Sequence, residues 1–84
     1  MNEYKYKPED FQDKAGLNDL ADDLAEFYRL LEVYRKDKSG VVKAALHNQA
    51  ENLFFEIKHR ALDGALTETT KGDLYEYLGE LLYD

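Results

Sequence analysis

Asn18-Asp19-Leu20-Ala21-Asp22-Asp23-Leu24-Ala25-Glu26-Phe27-Tyr28-Arg29-Leu30-Leu31-Glu32-Val33-Tyr34-Arg35-Lys36-Asp37 decides the fold. At about 100° per residue, Leu20, Leu24, Phe27, Tyr28, Leu31 and Tyr34 fall on one broad stripe, which Leu17 extends backwards. Asp19, Asp22, Asp23 and Glu26 occupy the opposite side in the first half, and Arg35 and Lys36 close the second half. Acids early and bases late complement the helix dipole, each worth about 0.3–1 kcal/mol. The spacing therefore predicts an amphipathic helix over 18–37, with Asn18 as its cap and Ser39-Gly40 as its stop.

Working outward, two more helices follow. Val42, Leu46, Ala50, Leu53, Phe54, Ile57 and Ala61 recur at helical spacing and predict a helix over 41–62, halted by Asp63-Gly64. Leu74, Leu78 and Leu81 line a third, over 67–82, with Thr67 or Thr70 as its cap. Gly72 and Gly79 weaken that helix, since an interior glycine costs about 1 kcal/mol relative to alanine. Before the first helix, Pro8 ends an arm over 1–8 that is expected to be extended and to lead into a short turn through Phe11. No alternating pattern competes. The expected fold class is all-α, a small antiparallel three-helix bundle with an extended N-terminal arm, in one domain spanning 1–84.

Composition narrows the function. The 84 residues hold 18 acids and 11 bases, for a net charge of −7, and no cysteine. Disulfides, thiolate metal sites and cysteine nucleophiles are thereby excluded, and nucleic acid is not the expected partner. No apolar run approaches the roughly 20 residues of a membrane span, so no membrane partner is expected. Met1 to Tyr6 lack the apolar stretch of a secretory signal, and a cytoplasmic protein is expected. The charge is segmented. Residues 1–34 carry −5, residues 35–60 carry +3 and residues 61–84 carry −5. Arg35, Lys36, Lys38 and Lys43 thus gather at the first interhelical turn, where they complement the acidic helices.

Catalytic and metal constellations are sparse. Glu56-x-x-His59 has the carboxylate–imidazole spacing of di-iron bundles, but that chemistry needs the motif twice. His47 and Glu51 form a second pair, and both pairs are expected on the surface. Ser39, Thr67, Thr69 and Thr70 have no glycine-rich elbow or phosphate loop beside them. No enzyme, metal or cofactor is expected.

The apolar residues left over after the stripes are filled are more informative. Phe55 lies about 160° from Ile57, and Leu62 falls on the same outer side. Val33 sits among acids, Leu30 at a stripe's edge, Tyr83 outside the third stripe, and Tyr4 and Tyr6 in the arm. Tyr4, Tyr6, Leu30, Val33, Phe55, Leu62 and Tyr83 are accordingly the candidate contact residues, because aromatic side chains are favoured at interface cores. An arm folded back over Leu30 or Phe55 is the alternative for the two tyrosines. The expected function is a non-enzymatic protein-interaction or regulatory module whose partner is another protein or itself, with a homodimer through Phe55. The acidic face Asp19, Asp22, Asp23 and Glu26 supports an alternative, an inhibitor that occupies another protein's nucleic-acid site. The small, acidic, cysteine-free composition is similar to that of many bacterial and phage accessory proteins.

Overall fold

The computed structural model describes residues 4–83, so the first three residues of the expected arm lie outside the described residues. A 3-10 turn, η1 (Pro8–Asp10), precedes three α-helices: α1 (Asn18–Lys36), α2 (Gly40–Leu62) and α3 (Glu68–Tyr83). Each helix boundary lies within one residue of expectation. The bundle measures 37 × 22 × 18 Å. At about 1.5 Å per residue, the 23 residues of α2 span nearly all of its long axis. The helices run antiparallel. Gln49 of α2 donates to the Asp23 carbonyl of α1 at 2.9 Å. Phe54 meets the Tyr75 ring and His47 the Tyr83 ring, so α3 descends as α2 rises.

The core is the sum of the three stripes. Leu20, Leu24, Phe27, Tyr28 and Leu31 from α1, Leu46, Ala50, Leu53 and Ile57 from α2, and Leu74 and Leu78 from α3 are buried together. Phe11, Leu17 and Leu66 close the end of the bundle where η1 enters. Among the described residues no polar or charged residue is fully buried. Burial of aliphatic and aromatic surface, at about 25 cal/mol per Å², therefore dominates the stability.

The turns show how local chemistry sets the helix ends. Ser39 stops α1 less than it starts α2: its Oγ accepts the Val42 N–H at 3.1 Å, an N-cap worth about 1 kcal/mol. At the far end of α2, Gly64 takes φ +86°. Its N–H reaches the Ala61 carbonyl at 3.1 Å and the Ala65 N–H reaches Arg60 at 2.9 Å. That pair of bonds is a Schellman motif, and the positive φ is why glycine stands there. Thr67, rather than Thr70, caps α3, its Oγ1 accepting the Thr70 N–H at 3.1 Å.

Asn18 departs from its expected role. The residue before α1 is Leu17, which makes no side-chain cap and is instead buried. The Asn18 side chain turns back and accepts the Asp13 N–H at 3.1 Å, holding a residue whose φ is +63°. A preceding turn with its own unpaired amide has taken the capping group.

Candidate functional site

Two aromatic surfaces compete for the role of site, and the structure separates them. The first is the arm. Its tyrosines lie across α1 and α3, and Tyr4 stacks on Tyr28 with ring centroids 3.8 Å apart. Tyr6 packs beside Phe11 and edge-on to Tyr77 at 6.0 Å. Each hydroxyl is used: Tyr4 donates to Glu32, Tyr6 to Asp73, and Tyr28 to the Tyr6 carbonyl. The Lys5 amide donates to the Tyr77 hydroxyl at 2.8 Å, and the Lys5 ammonium pairs with Asp73 at 2.7 Å. Burial, followed by the Glu32 hydrogen bond, pushes the Tyr4 phenol up to about 12. Burial raises Tyr28 further, with Tyr77 and Tyr4 adding to it. In Tyr6 the hydrogen bond to Asp73 is the main cause of a rise. Phenols held neutral and bonded within the chain form a clasp.

Tyr4 and Tyr6 are thus packed on the chain's own core, as is half-buried Leu30. The alternative, an arm folded back over Leu30 or Phe55, is met in part: the arm folds back, and its rings lie against Tyr28, Phe11 and Tyr77. The sequence offers the tyrosines but not their seat, because Tyr28 reads as an ordinary stripe residue and Tyr77 only flanks the stripe of the third helix.

The second surface is the outside of α2. Phe55 is 60% exposed and Leu62 73%. Val41, which the sequence reading passes over, is 81% exposed. Beside Phe55 runs a groove of about 480 Å³ lined by Glu51, Asn52, Phe54, Phe55, Lys58 and Tyr75. Its floor is aromatic, since Phe54 and Tyr75 meet edge to face at 5.6 Å. The Tyr75 hydroxyl is turned inward to the Phe54 carbonyl. The rim is charged, with Glu51 on one side of Phe55 along the helix and Lys58 on the other. His59 stands against the Phe55 ring at 4.4 Å. A signal for Val41 was present: Val41, Asn48, Phe55 and Leu62 are spaced seven apart, and a seven-residue step drifts by only about 20° around a helix.

The remaining candidates do not join this surface. Val33 is exposed on α1 close to the first turn, and exposed Tyr83 edges His47 at 6.0 Å at the same end of the bundle. Tyr34, Lys38, Lys43, Leu46, His47, Leu82 and Tyr83 line a smaller cleft of about 250 Å³ there. The acidic face is partly occupied from within. Asp19 and Asp22 are exposed, whereas both Glu26 oxygens accept from Arg29 at 2.7 Å, which holds that carboxyl below its usual range. Asp23 is half-buried, and burial, then Glu56, raises its carboxyl.

Glu56 is not the surface residue that its spacing implied. It lies partly buried at the α1–α2 seam with its oxygen 3.4 Å from Arg60, which also holds Asp63 at 2.9 Å. His59 packs against the Phe55 ring instead. Among the described residues no group of three or more histidine, aspartate or glutamate side chains is placed to hold a metal ion. Among the same residues no helix is long and apolar enough to cross a membrane.

Compared with protein-family models, with curated proteins and with solved structures, the chain finds no match.

Proposed function

We propose that this chain is a small non-enzymatic interaction module of the cytoplasm that binds protein through the outer face of α2, with Phe55 as the anchor. The observation that carries the reading is the exposed Phe55 ring beside an aromatic-floored groove with a charged rim. A large exposed aromatic ringed by polar residues is the usual composition of an energetic hot spot once a partner covers it. Exposed aromatic surface on a domain of this size gains more from being covered than from being hydrated. The reading includes no nucleic-acid or membrane partner and no cofactor, in keeping with the charge of −7.

The test is retention of protein from the native host on immobilised wild type, Phe55→Asp and Val33→Asp. Retention by wild type and Val33→Asp, with loss on Phe55→Asp, supports the reading. Retention that Phe55→Asp leaves intact overturns it. The inhibitor reading rests on Asp19 and Asp22, which remain exposed. It calls for binding that falls steeply between about 0.05 and 0.5 M salt, and an apolar anchor does not behave so.

A further inference from the structure

The rim of the Phe55 groove says more than that something binds there. On α2, Glu51 precedes Phe55 by four residues and Lys58 follows it by three. At about 100° and about 1.5 Å per residue, both lie along the same edge of the stripe, about 6 Å before Phe55 and about 4.5 Å after it. Among the described residues neither makes an ion pair, whereas Glu26, Glu56, Glu68 and Asp73 all do. On the other edge, Asn52 and His59 bracket Phe55 in the same way, three before and four after.

We infer that the partner of this face is a second copy of the chain, with the two α2 helices antiparallel about a two-fold axis at Phe55. This rests on the interaction-module reading and deepens it. Such an axis reverses the helix direction and preserves the edge. Glu51 of each copy then comes opposite Lys58 of the other, within about 2 Å of the same axial level by the helical rise. Asn52 comes opposite His59, and the two Phe55 rings meet on the axis beside grooves floored by Phe54 and Tyr75. The face is self-complementary in charge, which is the requirement of an isologous interface. A parallel pairing sends the charged edges to opposite sides and forms neither ion pair. The length of α2, 23 residues, lets Leu62 of one copy reach the level of Asn48 of the other.

Sedimentation velocity on the full chain, over low to high micromolar concentration, tests this. Wild type is expected to rise toward twice the 9.8 kDa chain mass. Phe55→Asp is expected to stay at one chain mass. Glu51→Lys and Lys58→Glu each set like charges face to face twice and are expected to weaken association roughly tenfold. An equimolar mixture of those two variants restores both ion pairs and is expected to dimerise as wild type does. The double variant Glu51→Lys/Lys58→Glu is expected to do the same, which shows that neither single change merely unfolds the chain. Wild type that stays monomeric overturns the inference, as do single variants that associate like wild type or a double variant that does not recover. A monomeric wild type that nevertheless retains a host protein through Phe55 leaves the interaction-module reading standing and removes only the second copy.

Discussion

Tyr28 and Phe55 are both aromatic side chains of long amphipathic helices, yet Tyr28 is 6% exposed and Phe55 60%. The difference lies in what the chain sends to cover each. Tyr28 faces the gap between α1 and α3, and the arm crosses that gap with Tyr4 against its ring and the Tyr6 carbonyl on its hydroxyl. Phe55 faces outward on the longest helix, and no described segment crosses it. Apolar surface is equally unfavourable in water on either side. The arm therefore identifies the surface that the fold seals, and the outer face of α2 the apolar surface that it leaves exposed.

The sharpest break in that comparison is truncation at each ring. Tyr28→Ala removes a buried aromatic and unseats the arm, at a cost of about 3 kcal/mol. Phe55→Ala touches little within one chain and changes its stability by less than about 0.5 kcal/mol. Urea denaturation of both variants, at a concentration where wild type is monomeric, measures the contrast. Equal costs would mean that Phe55 is packed after all.

Alkaline pH attacks the clasp. The Tyr4 phenol ionises at about 12 in the folded chain against an ordinary 10.0, and Tyr28 is raised further. The neutral phenols stabilise the fold fully below about pH 10, and the contribution is lost as pH climbs through the raised values, because the unfolded chain ionises first. Denaturation midpoints should therefore fall between about pH 10 and about pH 12. Tyr4→Phe should flatten that fall while lowering stability at neutral pH by about 1 kcal/mol, the worth of one hydrogen bond. A wild-type midpoint unchanged up to about pH 12 would place these phenols in water.

The same contrast explains what could be read from the sequence. The stripes of α1, α2 and α3 were legible because burial on a helix repeats every three to four residues, and Leu20, Leu24, Leu53 and Ile57 obey that period. Phe55 and Leu62 were legible as outward residues by the same arithmetic. The seat of Tyr4 and Tyr6 was not, because it depends on the meeting of Tyr28 and Tyr77, 49 residues apart in sequence. Asn18 misled because a capping side chain serves whichever amide is nearest, and the turn at Asp13 brought one closer. Glu56 misled because the wheel gives direction within one helix but not where its neighbour α1 stands.

The helix α3 is shared by both regions, since Asp73 and Tyr77 hold the arm and Tyr75 floors the groove. Gly72 and Gly79 have open space where a Cβ would stand. Replacing either with alanine should stabilise the chain by about 0.5–1 kcal/mol through helix propensity alone. If α3 supports clasp and groove as one rigid unit, Gly79→Ala should also leave self-association unchanged. A loss of stability in either variant, measured by thermal denaturation, would mean that the glycine serves a contact.

The smallest effects compare a carboxylate of the clasp with one at the α1–α2 seam, and they have opposite signs. Hydrogen bonds from Lys5 and Tyr6 hold Asp73 below the ordinary carboxylate range. Its stabilising contribution is present above the unfolded value and is lost as pH falls through the lowered one. Burial first, then Glu56, Asp19 and Asp22, raises Asp23. Its contribution is complete below the unfolded value of 3.8 and is lost as pH rises through the raised one. Asp73→Asn should therefore weaken the chain at about pH 7 and match wild type once pH has fallen below the lowered value. Asp23→Asn mimics the protonated form, so it should strengthen the chain at about pH 7, and the gain should vanish as wild-type Asp23 takes up its proton. Midpoints of the two variants across that range decide the matter. A destabilised Asp23→Asn at neutral pH would show that the Asp23 charge is held by the seam rather than merely tolerated there.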